Sequence, residues 1–218
     1  YIKKYKKDGF VKIKNFINHE SSDKIKKSLL NFVENYSNQL TGRDVNFVKK
    51  TKKIHSVHNL RKCKIVNQLL NDKNIIRLAD KFVGQKSKKF GAELFTKLPR
   101  IGMAVPAHQD NYYWNINNNN GITIRFALEE STKKNGTLYY YNESHKVGIQ
   151  PHIPSSTPGT SQKIENIKIL NFFKVQTPSL SVGDILIHQS AVIHGSTKNL
   201  SNKSRMGLNL RYIPKNSK

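Results

Sequence analysis

Four residues of this chain carry side chains suited to one piece of chemistry: His108, Asp110, His194 and Arg205. Two imidazoles and one carboxylate that leave three adjacent coordination positions open form the facial triad by which non-haem iron(II) oxygenases hold their metal. The spacing of His108-Gln109-Asp110 suits that task. On a strand, the period of two sends His108 and Asp110 to one face and Gln109 to the other, so both ligands reach the same ion. The third ligand is His194, in Val192-Ile193-His194-Gly195-Ser196, where an apolar run stopped by a glycine predicts a strand end feeding a turn. Arg205 opens a segment running to Tyr212. There Met206, Leu208 and Leu210 fall on one face, and Arg205, Gly207, Asn209 and Arg211 on the other. An arginine directed inward requires an anion. Its planar fork matches a carboxylate bidentately, and a small dicarboxylic cosubstrate beside the metal supplies one.

A His-x-Asp pair alone is common by chance, so specificity has to come from its context. That context includes Asp8-Gly9-Phe10-Val11-Lys12-Ile13-Lys14-Asn15-Phe16, Glu93-Leu94-Phe95-Thr96-Lys97 and Pro106-Ala107-His108-Gln109-Asp110-Asn111-Tyr112-Tyr113-Trp114. It continues through Ala127-Leu128-Glu129-Glu130, Asn135-Gly136-Thr137-Leu138, Glu143-Ser144-His145-Lys146 and Gly183-Asp184-Ile185-Leu186, ending in His194-Gly195-Ser196 and Arg205. In these segments, which span most of its length, the chain resembles the Fe(II)- and 2-oxoglutarate-dependent phytanoyl-CoA dioxygenase family. The resemblance implies iron on His108, Asp110 and His194, with the distal carboxylate of 2-oxoglutarate on Arg205 and the hydroxyl of Ser196. It also draws Gln109, Arg125 and Glu93 into the cosubstrate site. Tyr112, Trp114, Arg125, His58, Asn59 and Arg211 fall where a substrate would lie. The implied fold is a distorted double-stranded β-helix, a cupin-like jelly roll. The implied reaction hydroxylates a small molecule with O2, releasing succinate and CO2.

Two positions depart from the family pattern. Where many members carry a tryptophan on the strand before Ala-Leu, this chain has Arg125, on the same face as Thr123 and Ala127. Arg125 either reads an anionic group on the substrate, adds a contact to 2-oxoglutarate, or forms a salt bridge to Glu93, since buried arginines are nearly always paired. Asn142-Glu143 stands where a Pro-Gly turn is usual before Ser-His, a change confined to the turn. Asp110 itself separates hydroxylation from halogenation, because halogenating relatives replace this carboxylate by a small residue.

With 218 residues the chain is long enough for one sizeable core, and a single domain over 1–218 is expected, with 1–88 as mainly helical support and 89–218 as the jelly-roll core. No apolar stretch approaches the roughly 18 residues of a membrane span, and no secretory apolar segment is visible, so a cytoplasmic protein is expected, as monomer or homodimer. The lone Cys63 excludes an internal disulfide and reads as a small buried hydrophobe. The net charge of +24 invites a nucleic-acid reading. The charge is mostly lysine, though, scattered among Asn and Ile without interleaved aromatics, and no specific nucleic-acid partner is expected. A catalytically silent ligand sensor on the same jelly roll is the alternative; the intact triad, Ser196 and Arg205 count against it.

Periodicity sets the supporting elements. Phe10 to Phe16 predicts an N-terminal strand, and Ile25, Leu29, Phe32, Val33 and Tyr36 predict an amphipathic helix over His19 to Tyr36. Ile65 to Val83 predicts two helical segments broken near Asn71 to Asn74, the second capped by Gly84. From Lys89 onward the pattern changes to strands, with a hairpin signal at Asn135-Gly136 and a loop over the cavity mouth from Pro151 to Gly159. Helices first and strands after predict an α+β arrangement with helices packed on one face of the major sheet. His55 and His58 lack the third ligand a zinc site needs. His145, His152 and His188 read as structural or supporting residues.

Overall fold

The computed structural model of the chain describes residues 1–36, 39, 44–48, 53–58, 60, 62–157 and 160–217. Helices α1 (Ile2–Asp8), α2 (His19–Tyr36), α3 (Lys64–Leu70) and α4 (Lys73–Val83) lie in the first part of the chain. The short α5 (Asp110–Trp114) follows between strands. The first strands are β1 (Phe10–Ile13), β2 (Val45–Phe47), β3 (Ile54–Val57), β4 (Ser87–Lys97) and β5 (Val105–His108). After α5 come β6 (Ile122–Ala127), β7 (Leu138–Tyr141), β8 (His152–Thr157) and β9 (Thr160–Ile164). The last are β10 (Val175–Gln176), β11 (Ile185–Gln189), β12 (His194–Ser196) and β13 (Arg205–Pro214).

The larger sheet runs β1-β11-β6-β13-β4-β3-β2 and the smaller β10-β7-β12-β5, while β8 and β9 pair only with each other. Its central strands carry strict alternation. Leu208 and Leu210 of β13, Ile124 and Phe126 of β6 and Ile185 and Ile187 of β11 share one core with Ile25, Leu29 and Phe32 of α2 and Ile75, Ala79 and Phe82 of α4. Burying a side chain of this size contributes about 1.5–3 kcal/mol, which fixes the register and leaves the odd-numbered face of β13 turned to the cavity. The result is the α+β jelly roll expected, with helices on the major sheet.

Helix ends follow local chemistry. Asp72 caps α4, its Oδ1 accepting from the backbone N–H of Asn74 at 2.8 Å and Ile75 at 3.0 Å. Gly84 closes the same helix at φ 84°, the left-handed turn that glycine adopts without strain. No helix among the described residues is long and apolar enough to cross a membrane.

Several local expectations are corrected. β1 stops at Ile13, and Asn15 turns with φ 50°. Asn135-Gly136 makes a turn but no hairpin: the strands on either side, β6 and β7, belong to different sheets. Within the stretch 151–159 read as a loop, His152 to Thr157 form β8, paired antiparallel with β9 because Ser, Thr and Ile tolerate extended backbone as readily as a loop; residues 158 and 159 lie outside the described residues. His194 opens a strand instead of ending one. Residues 1–57 also supply β1, β2 and β3 to the larger sheet.

Candidate metal and cosubstrate site

His108 ends β5, Gln109 continues extended at φ −120° and ψ 128°, and Asp110 is the first residue of α5. One extended link is enough to put His108 and Asp110 on the same side. His194 is the cross-strand partner of His108, the two rings 4.4 Å apart between centroids. One ligand atom from each of His108, Asp110 and His194 lies within 4.8 Å of the others, all three residues being buried. Their Nε2 atoms stand 3.7 Å and 3.8 Å from the Asp110 Oδ1.

The protons on these rings are fixed by the backbone. Nδ1–H of His108 donates to the Pro106 carbonyl at 2.9 Å, and Nδ1–H of His194 to the Val192 carbonyl at 3.0 Å. Each Nε2 is therefore the ring nitrogen turned toward Asp110. Burial, then the neighbouring His108 and His188, hold the His194 pKa well below the usual imidazole range, so the ring is neutral. Burial pushes the Asp110 carboxyl up. Hydrogen bonds from His108 and His188, with the nearby His194 and Arg211, more than reverse this and keep it well below the usual carboxylate range. Its Oδ2 accepts from Thr123 Oγ1 at 2.9 Å and His188 Nε2 at 3.2 Å, so Oδ1 is the oxygen presented to the histidines. His188 is itself oriented by the Tyr140 hydroxyl, 3.0 Å from its Nδ1. Two imidazole nitrogens and one carboxylate oxygen facing a cavity fit a facial-triad iron(II) site.

That cavity, about 680 Å³, extends between the sheets from Arg205 and Ser196 at one end to the β8–β9 hairpin. Arg205 is 2% exposed, and among the described residues its Nε and Nη2 have no hydrogen-bond partner. Burial, and after it the neighbouring Arg125, hold its pKa well below the usual guanidinium range. A guanidinium so placed is stabilised by an anion delivered through the cavity. Ser196 lines the same end, with Thr96, Lys97, Val105 and Leu138.

Arg125 also lines the cavity, 2% exposed, and donates from Nη1 to Asn209 Oδ1 at 3.0 Å. The alternative salt bridge to Glu93 is not formed, for a reason of register: Asn209 pairs with Arg125 on one side and with Glu93 on the other, so a full strand separates the two. Glu93 instead accepts from His58 Nδ1 at 2.7 Å and forms an ion pair with Arg211. Gly207 makes room for Arg125. A Cβ at residue 207 would come within 2.2 Å of Arg125 Nη2.

The other sequence-derived site residues divide. His58, Glu93 and Arg211 line the cavity, and Asn59 lies outside the described residues. Gln109 is corrected: its side chain points away from the cavity, donating to the Ala191 carbonyl at 2.6 Å and the Gly148 carbonyl at 2.9 Å, and accepting from Gln150 N at 2.8 Å. Tyr112, 39% exposed, stacks on His152 at 4.1 Å, and Trp114 packs with Ile116 and Ile213; neither lines the cavity. Their displacement follows from α5, whose 100° per residue turns Tyr113 inward instead. Sequence reasoning missed Tyr113, Thr96 and Lys97 as cavity residues. The alternation of Glu93, Phe95 and Lys97 on β4 was a readable signal for Lys97.

Residues 5–207 match the family model described as phytanoyl-CoA dioxygenase. The chain belongs to the phytanoyl-CoA dioxygenase family. Among curated members it is 31% identical over 119 residues to phytanoyl-CoA dioxygenase 1 of Oryza sativa subsp. japonica, an overlap covering 54% of this chain and 41% of that protein. This member of the family thus spans less than half the length of that relative. Among solved structures, AviO1 from Streptomyces viridochromogenes superposes with a TM-score of 0.78 at 21% identity, over 100% of this chain and 95% of that one. EctD from S. alaskensis, solved with 2-oxoglutarate and 5-hydroxyectoine, superposes with a TM-score of 0.81 at 16% identity, over 98% of this chain and 75% or less of the other, 74% in that complex. These likenesses establish the jelly-roll fold.

Proposed function

We propose that this chain is an Fe(II)- and 2-oxoglutarate-dependent dioxygenase that hydroxylates a small molecule. The observation that carries the reading is the pairing of two features in one cavity: three buried ligands converging at one point, and the buried Arg205 guanidinium, whose Nε and Nη2 have no hydrogen-bond partner among the described residues. Iron(II) and 2-oxoglutarate, when bound, supply the activation of O2 that places a hydroxyl on the substrate, with succinate and CO2 as co-products.

His108, Asp110 and His194 hold the metal, and Thr123 and His188 keep Asp110 turned toward it. Arg205 and Ser196 hold the distal carboxylate of the dicarboxylate. Arg125 serves the same cosubstrate. On the larger sheet its register lies one step from Thr123, which holds Asp110, and one step from Ala127 on the side of Arg205, beneath the path between metal and anchor. Lys97 lines this end as well, its pKa lowered to about 6 by burial and then by Arg205 and Arg125, so it takes up a proton only when an anion arrives beside it. With Arg125 given to the cosubstrate, nothing requires the substrate to be anionic. Residues of β8 and β9 line the cavity together with Tyr113, whose ring lies 6.0 Å from that of His108.

The test is anaerobic addition of Fe(II) and 2-oxoglutarate, read by the weak visible metal-to-ligand charge-transfer band, with Arg205→Ala alongside. A band with the native protein that requires far more 2-oxoglutarate in Arg205→Ala is the expected outcome. No band from folded native protein refutes the assignment, and an unshifted titration in the variant removes the role given to Arg205.

A further inference from the structure

The end of the cavity left for a substrate has a chemistry of its own. Its cover is the β8–β9 hairpin, which contributes Ser155, Ser156, Thr157, Thr160 and Ser161 to the lining, all hydroxyl-bearing residues and, among the described residues, no purely hydrocarbon side chain. The same cavity is also lined by members of a continuous polar chain across four strands. Asn46 Nδ2 donates to Ser56 Oγ at 3.2 Å, and the Ser56 hydroxyl faces His58 Nε2 at 2.8 Å. His58 Nδ1 then donates to Glu93, which is paired with Arg211. Arg211 in turn lies over the Trp114 ring at 5.2 Å.

Charge is balanced here, unlike at the cosubstrate end. Glu93 and Arg211 neutralise each other, and burial lowers His55 to about 4, with Lys97, Arg205 and His58 reinforcing the shift, so that ring is neutral. Of the hydrocarbon side chains lining the cavity, Val105 and Leu138 pair in register with Ser196 and so stand beside the distal carboxylate. Phe95 and the ring of Tyr113 are left as carbon surface at the substrate end. A fatty acyl chain entering there would strip water from hydroxyls, Asn46 and the Glu93–Arg211 pair without returning a hydrogen bond to any of them. A molecule dense in hydroxyls returns them, because each hydroxyl both donates and accepts.

Resting on the dioxygenase reading above, we infer that the substrate is a small, uncharged, hydroxyl-rich molecule of the saccharide or polyol type. Its hydroxyls bridge the Ser/Thr hairpin to the Asn46–Ser56–His58–Glu93–Arg211 chain, and its carbon faces lie against Phe95 and Tyr113. Fatty acyl thioesters are excluded by the same lining.

The experiment uses the full chain loaded anaerobically with Fe(II) and 2-oxoglutarate. Monosaccharides, methyl glycosides, disaccharides and linear polyols are titrated in parallel with palmitoyl-CoA and phytanoyl-CoA, read by the shift of the charge-transfer band and by calorimetry. A glycoside or polyol that shifts the band, with the acyl thioesters inert, is expected. Thr160→Val, which keeps the side chain's shape and deletes its hydroxyl, should then weaken that ligand about tenfold, with 2-oxoglutarate titration of the same variant as the folding control. A response to acyl thioesters, silence from the whole hydroxyl-rich panel, or unchanged affinity in both Thr160→Val and Ser155→Ala overturns the inference. Failure of the dioxygenase reading is distinguishable from all of these, since the band is then missing before any panel compound is added.

Discussion

Lys97 links the cosubstrate site to pH. The residue is 1% exposed, and its Nζ donates to the carbonyls of Met103 and of Thr197, the latter at 2.7 Å. Among the described residues no carboxylate is paired with it. Burial, then the charges of Arg205 and Arg125, bring its pKa from 10.5 to about 6. The folded-state value is depressed, so between about pH 6 and 10.5 the unfolded chain holds a proton that the folded chain does not. Stability therefore rises with pH across that window, by roughly 1 kcal/mol per unit, and the gain is lost as pH falls toward 6. Cosubstrate binding acts on the same group. At pH 7.5 a pKa near 6 leaves only about 3% of Lys97 charged. A carboxylate arriving between Arg205 and Arg125 favours the charged form, and binding then takes up most of one proton. Above about pH 6, 2-oxoglutarate affinity should fall by up to tenfold per unit. Calorimetric titration of the anaerobic Fe(II) protein at pH 7.5, in two buffers of different ionisation heat, measures the uptake directly. Lys97→Met should abolish it and flatten the affinity profile. Equal heats in the two buffers, or uptake that persists in Lys97→Met, would refute the coupling.

Two substitutions test the supports of the site. Thr123→Val removes one of the two hydrogen bonds that fix Asp110 Oδ2 and should weaken iron affinity by roughly tenfold; metal competition titration showing native affinity would leave Thr123 without a role in the site. Gly207→Ala places a Cβ against the Arg125 guanidinium and should cost roughly 1–3 kcal/mol in thermal or denaturant unfolding while raising the 2-oxoglutarate requirement. Unchanged stability and affinity together would mean that Arg125 does not lie across residue 207.

The parts of this molecule legible in the sequence are those where one period governs. The helix His19–Tyr36 has the bounds its apolar spacing predicts, and β13 keeps Leu208 and Leu210 in the core with Arg205 and Asn209 in the cavity. His108 and Asp110 converge as the period of two requires, because the single residue between them remains extended. The errors sit where periods change. One residue after the extended link the chain winds into α5, so extrapolating from the His-x-Asp pair to Tyr112 and Trp114 picked the wrong aromatics, and Tyr113 faces inward. The choice between Arg125–Glu93 and Arg125–ligand was not decidable from local pattern. It depends on which strand lies between β6 and β4, and that strand, β13, is supplied from more than 80 positions later in the chain.

The strand order also explains how one cavity holds two chemistries. The positive end, Arg125 and Arg205, is built on β6 and β13, central strands whose other face is locked into the helix-covered core. Moving either strand by one residue would turn Leu208, Leu210, Ile124 and Phe126 out of that core, so the position of the cosubstrate anchors is tied to the stability of the fold. The hydroxyl-rich end draws on β2 and β3 at the edge of the larger sheet and on the β8–β9 hairpin, which pairs with neither sheet. Side chains there can change without shifting a core register. On the reading proposed above, substitutions on the hairpin should alter what is hydroxylated, while substitutions of Arg125 on β6 and Arg205 on β13 should alter whether the cosubstrate binds at all.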